Sequence, residues 1–134
     1  MKTDEIYADL LDAAQKARKN AYAPYSGMSV GAAILTEKGI FPGTNVENAS
    51  YGLSICAERT AVFTAVTAGA RQFMAIAIAG GNPEPLPPCG ACRQVLAEFN
   101  PKMTCLLIGA SGKTARFNLD ELLAHPFLSE HLEK

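Results

Sequence analysis

Phe73-Met-Ala-Ile-Ala-Ile-Ala79 is an unbroken apolar run. It is strand-sized and far too short to cross a bilayer. It lacks the alternation of polar residues that marks a half-exposed strand, so it reads as a strand buried on both faces. Other elements must then cover it on each side. Working outward, helix formers run from Ala57 to Ala68, with Gly69 as the C-cap. On the other side, Gly80 to Pro88 is a Gly/Pro loop, and Ala91 to Phe99 reads as a helix stopped by Asn100-Pro101. Met103 to Ile108 is a second buried strand that Lys113 to Phe117 can pair with. Leu119 to Ala124 is a last helix capped by Asn118.

Upstream, residues 4–20 carry Ile6, Leu10, Ala13, Ala14 and Ala17 on one helical face, with Thr3 or Asp4 as the cap. Tyr22 to Gly27 is a loop. Val30 to Leu35 and Ile40-Phe41 form a hairpin around Glu37-Lys38-Gly39. Asn45 to Leu53 is rich in turn formers. The order α-β-β-α-β-α-β-β-α predicts an α/β fold, a three-layer α/β/α sandwich with a mixed sheet of about five strands.

The 134 residues suit a single domain spanning 1–134. Formal net charge is −1 and no run of Lys or Arg occurs, which argues against a nucleic-acid polymer as partner. Residues 1–20 hold no apolar signal-peptide core, and no segment is long enough to span a membrane. These features predict a soluble cytoplasmic protein. Its four cysteines are then reduced, and metal or catalytic roles outrank disulfides.

Two motifs carry the chemistry: Cys56-Ala-Glu-Arg59 and Pro87-Pro-Cys-Gly-Ala-Cys92. Each sits where a loop runs into a predicted helix. Cysteines three apart at a helix start face the same way, and the helix N-terminus favours their thiolates. Cys56 adds a third sulfur from another helix start. Three ligands leave one tetrahedral position open, which marks a catalytic rather than a structural zinc. Glu58, two residues after Cys56, can approach that position without ligating and serve as general acid/base. Arg59 can donate hydrogen bonds to thiolate sulfur and offset its charge. Taken alone, Cys89 and Cys92 also allow a redox dithiol, and Cys105 would complete a structural four-cysteine site.

Cys-x-Glu followed by Pro-Cys-x-x-Cys is the zinc-deaminase signature. The chain resembles the cytidine deaminases well beyond it. The likeness runs through Ala21-Tyr-Ala-Pro-Tyr-Ser26, Val30-Gly-Ala-Ala33, Asn45-Val-Glu-Asn-Ala-Ser-Tyr-Gly52, Cys56-Ala-Glu-Arg-Thr60 and Pro88-Cys-Gly-Ala-Cys-Arg-Gln-Val-Leu96. Its length and third cysteine resemble the short homotetrameric branch. The resemblance implies one Zn2+ per chain on Cys56, Cys89 and Cys92, and hydrolysis of cytidine and 2′-deoxycytidine in pyrimidine salvage. Hydroxide would attack C4 while Glu58 moves protons to N3 and to the leaving ammonia. It further implies that Asn45 and Glu47 hold the ribose hydroxyls and that the Ala57 N–H meets the 2-oxo group. The carbonyl near Pro87 would meet the exocyclic amine, and Tyr25 and Tyr51 would line or brace the pocket. Phe127 would stack on the base in a neighbouring subunit's site. Met28 stands where the family often has an aromatic. The softer side chain predicts a looser pocket that admits larger pyrimidine substituents. Thr44 and His125-Pro126 also depart from the common pattern.

Overall fold

The computed structural model describes residues 2–132. Helix α1 spans Thr3–Arg18, followed by strands β1 (Val30–Thr36) and β2 (Gly39–Thr44). Helix α2 (Ala57–Thr67) leads into β3 (Phe73–Gly80), and α3 (Gly90–Phe99) into β4 (Thr104–Ile108). Strand β5 (Thr114–Asn118) and the single turn α4 (Leu119–Leu122) complete the order predicted from the sequence. Two short 3-10 turns form, one at Tyr51–Leu53 in the stretch rich in turn formers and one at Ser129–His131.

The strands form one sheet in the order β2-β1-β3-β4-β5. Only β3 and β4 run parallel, joined by a crossover through α3; every other neighbouring pair is antiparallel. β3 lies at the centre, as its continuous apolar sequence demands. Its two faces are built differently. Ala75, Ala77 and Ala79 face α1 together with Ala33 and Leu10. Phe73, Ile76 and Ile78 face α2 and α3 together with Ile34, Val62, Leu96 and Leu107. Large side chains thus fill one interlayer space and small ones let α1 lie close on the other.

Close approach is explicit at two glycines. A Cβ on Gly31 would come within 2.1 Å of the Ala14 carbonyl oxygen in α1. One on Gly43 would come within 2.3 Å of the Ala61 nitrogen in α2. Gly43 also shows that the second strand is longer than Ile40-Phe41. Pro42 does not interrupt it because β2 is an edge strand, where a missing N–H costs no ladder bond on the open side.

Other boundaries shift by a residue or two. α1 is preceded by Lys2 as N-cap rather than Thr3 or Asp4, with no side-chain cap, and ends at Arg18. Gly69, at φ 96°, follows the C-cap Ala68 and takes the left-handed conformation that ends α2. The last helix stops at Leu122; before it, the Asn118 N–H donates to the Glu121 carboxylate at 2.9 Å. Among the described residues, no helix is long and apolar enough to cross a membrane.

Candidate metal centre and adjoining cavity

Helices α2 and α3 pack side by side on the same face of the sheet, and their N-termini meet. Cys56 is the N-cap of α2, Cys89 the N-cap of α3, and Cys92 lies in the first turn of α3. Their sulfurs lie within 4.8 Å of one another. Cys56 Sγ is 3.8 Å from Cys89 Sγ, which is 3.4 Å from Cys92 Sγ. Thiolates held tetrahedrally at a Zn–S bond of about 2.3 Å would stand roughly 3.8 Å apart. The donor set therefore fits zinc in both spacing and softness. Cys105 stays out of the cluster: it is buried on β4, and its thiol points at the Met103 carbonyl at 3.7 Å. A four-cysteine structural site is thereby excluded.

The electrostatics favour a cation at this spot. The Cys56 thiol is pulled down to about 5, first by its hydrogen bond with Cys92 and then by Arg59 and Cys89. The Cys92 thiol is pushed up, first by that same hydrogen bond and next by burial. The protein alone thus favours a proton on Cys92, and a bound divalent cation is what lets that thiol ionise. Arg59 Nη2 donates to Cys56 Sγ at 3.5 Å, and its buried Nε has no partner. The guanidinium therefore lies against the Cys56 sulfur.

Beside the sulfurs lies a cavity of about 280 Å³. Of the residues singled out from the sequence, Cys56, Ala57, Glu58, Cys89, Asn45, Glu47, Met28 and Pro87 all line it. Cys92 and Arg59 sit behind. Glu58 is 5 % exposed, and burial holds its carboxyl above the usual carboxylate range. Ala57 is the first residue of α2, where a backbone N–H has no intrahelical acceptor.

Asn45 and Glu47 reach the cavity already hydrogen-bonded. Asn45 accepts the Val30 N–H and donates to the Met28 carbonyl, both at 2.8 Å. Glu47 accepts from the Tyr25 and Ser26 N–H groups and from the Ser26 hydroxyl. The segment carrying them is bridged to Tyr22 on one side and Ile55 on the other.

Tyr25 and Tyr51 pack ring to ring, centroids 5.9 Å apart, outside the cavity lining. Phe127 is remote from its own chain's cavity. It stacks on His131, and the Gln94 side-chain amide brackets its backbone. Residues that sequence reading missed are Ser26, Val30, Ser54, Ile55, Ile78 and Leu86, which complete the wall. Ser26 and Val30 fall within the family-like segments, but nothing local in the sequence marks either as part of the wall. Arg93 was missed as well: it donates to the carbonyls of Pro88 and Leu122 at 2.8 and 2.6 Å and so fixes the loop that delivers Cys89.

Residues 4–108 match the family model described as the cytidine and deoxycytidylate deaminase zinc-binding region. The chain is 46% identical over 125 residues to the cytidine deaminase of Halalkalibacterium halodurans, covering 92% of this chain and 95% of that one. It is equally similar to the cytidine deaminase of Sporosarcina psychrophila, at 46% over 125 residues and 92% of each chain. Among solved structures, the cytidine deaminase from Burkholderia pseudomallei superposes with a TM-score of 0.86 at 46% identity, covering 95% of this chain and 100% of that one.

Proposed function

Because the chain belongs to the cytidine and deoxycytidylate deaminase family, we propose that it hydrolyses free cytidine and 2′-deoxycytidine to uridine and 2′-deoxyuridine. The reading extends to pyrimidine salvage in the cytoplasm and to one zinc ion per chain on Cys56, Cys89 and Cys92. The observation that carries it is Glu58, a buried carboxyl lining the same cavity as two of those cysteines and the polar pair Asn45 and Glu47.

Zinc supplies the Lewis acidity that makes water nucleophilic near neutral pH. The chain's own residues do the rest. Burial and the nearby Cys56 thiolate raise the proton affinity of Glu58, which suits it to take a proton from water. Glu58 then delivers that proton to N3 of the pyrimidine, so no charge accumulates in the ring as C4 is attacked. It then takes a second proton from the new C4 hydroxyl and gives it to the amine, which departs as ammonia as the C4–N bond breaks. Cytidine and water yield uridine and ammonia, and Glu58 returns to its starting state. Arg59 tempers the anionic sulfurs through its bond to Cys56. The Ala57 N–H receives the 2-oxo group, the carbonyl near Pro87 the exocyclic amine, and Glu47 with Asn45 the sugar. A wall holding polar partners for the sugar disfavours nucleosides that lack its hydroxyls. Tyr51 and Phe127 belong to the contacts of a homotetramer whose sites are completed by neighbouring chains. The net charge of −1 favours a free nucleoside over a polymer.

The test follows cytidine by its ultraviolet absorbance. Wild type is expected to convert it, and Glu58→Gln to lose about 10²–10⁴-fold in kcat while keeping its zinc. Equal activity of both proteins, or no turnover of cytidine by wild type, overturns the proposal.

A further inference from the structure

Ser26 ends the Ala21–Ser26 segment within the Tyr22–Gly27 loop, and its hydroxyl has two partners on the cavity rim. It donates to Oε2 of Glu47 and accepts the Met28 N–H at 3.0 Å. The Tyr25 and Ser26 N–H groups meanwhile donate to Oε1 of Glu47 at 2.9 and 3.1 Å. Gly27 lies between Ser26 and Met28 at φ 71°, a left-handed conformation that costs glycine no Cβ clash. Ser26, Met28 and Glu47 all line the cavity. One hydroxyl therefore ties a carboxylate on the strand segment after β2 to the backbone that carries Met28.

An ionised carboxylate has about four acceptor positions. The turn occupies three of those on Glu47. What remains suits a single further donor, such as one sugar hydroxyl. The same bonds hold the Glu47 carboxyl below its ordinary range, with the Ser26 hydroxyl the largest cause, so it stays an acceptor. The commonplace role for Ser26 is that of a turn former. A turn former needs one partner, whereas this hydroxyl spans two separate pieces of the wall.

We propose that Ser26 is a positioning residue for the nucleoside: its hydroxyl locks Glu47 and Met28 in register, so that the carboxylate facing the sugar and the side chain bordering the base act as one unit. This rests on the assignment of Glu47 to the sugar made above. Glu47 held by backbone N–H groups alone keeps its place along the chain but loses the bond that aims Oε2. Sugar recognition then weakens while the zinc centre and Glu58, on other elements, are untouched.

The experiment compares wild type, Ser26→Ala and Ser26→Thr on cytidine and on 2′,3′-dideoxycytidine, which lacks both hydroxyls. Ser26→Ala is expected to lose about ten- to a hundredfold in kcat/KM on cytidine, mostly through KM, as for a hydrogen bond to a charged group. On the dideoxynucleoside its loss is expected to stay under about threefold, because the group being positioned has no partner there. Ser26→Thr, which keeps the hydroxyl, restores cytidine turnover. In a Glu47→Gln background, Ser26→Ala adds little. Equal losses on both nucleosides, or Thr as impaired as Ala, overturn the proposal. So does a Ser26→Ala protein that fails to fold or to hold zinc, since the hydroxyl would then serve the fold. Wild type inert toward cytidine would instead defeat the deaminase reading itself.

Discussion

Glu47 is half-exposed yet receives three hydrogen bonds, and that combination has a pH signature. Its carboxyl is held below the ordinary range, with the Ser26 hydroxyl as the first cause. Above the unfolded carboxylate value both states are ionised and the full contribution is present. As pH falls through the depressed folded value, the folded state must also take up the proton and the contribution is lost. Glu47→Gln is therefore expected to lower the melting temperature at pH 6 to 7, with the two proteins converging below about pH 4. A gap that persists unchanged into acid would refute this origin. Met28 makes a different kind of prediction. It is half-exposed on the cavity wall, unbranched, and anchored only through its backbone. The flexible thioether can yield to a substituent on the base. Wild type is expected to accept N4-methylcytidine, relative to cytidine, about tenfold better than Met28→Phe does; equal discrimination removes the idea. At this scale the sequence was most informative where the chemistry is local. Cys56 with Glu58, and Cys89 with Cys92, advertise themselves by spacing because each pair shares a helix start. Ser26 was silent because its partners Glu47 and Met28 meet only after the chain has folded back from β2.

Among the elements, α2 carries the most function: its N-cap is Cys56, its first residue Ala57 and its second Glu58. What fixes its position is Gly43 on β2. A Cβ there would stand 2.3 Å from the Ala61 nitrogen and 2.7 Å from the Ala57 carbonyl oxygen, both of them backbone atoms. Gly43→Ala must displace the first turns of α2. It is expected to cost about 3 kcal/mol, at the upper end for overpacking, and to lower Tm by roughly 10 °C. Zinc affinity should fall with it, because Cys56 moves with the helix. Gly31→Ala provides the contrast. Its Cβ would meet the Ala14 carbonyl oxygen at 2.1 Å, on the opposite face of the sheet. A comparable loss of Tm with zinc affinity intact is expected there. Calorimetry and a chelator competition on both variants check the pair; zinc loss of equal size in each would show that α2 is not the link. This contact could not be read from the sequence. Pro42-Gly43 is a turn signal by composition, and only edge position and helix proximity make it part of a strand. Phe73 to Ala79, by contrast, named its own place, since an apolar run without alternation fits only a covered strand.

The chain as a whole leaves several large side chains in the open. Tyr51 is 75% exposed and Leu53 71% exposed, adjacent in one 3-10 turn, and Phe127 is 59% exposed. Isolated exposed apolar residues are ordinary, but Tyr51 packs on Tyr25, whose neighbour Ser26 lines the cavity. The element order and the two-faced core were legible in the sequence because each interlayer space leaves a periodic trace. An association surface leaves none, which is why a homotetramer is an expectation from resemblance alone. Phe127 offers a test that depends on assembly. It does not line its own chain's cavity, and the stacking proposed for it is with a base bound in another copy. Glu58, in contrast, lines the cavity of the chain that carries it. Phe127→Ala and Glu58→Gln are each expected to impair cytidine turnover when pure, the second almost completely. Co-expressed or co-refolded at equal amounts, they are expected to form mixed oligomers. A Phe127→Ala chain then supplies an intact Glu58, and a neighbouring Glu58→Gln chain supplies the missing ring. Random assembly makes about a quarter of the sites whole, so the mixture should exceed the average of its two parents. Activity equal to that average would mean that Phe127 does not cross between chains, and its role in base stacking would fall with it.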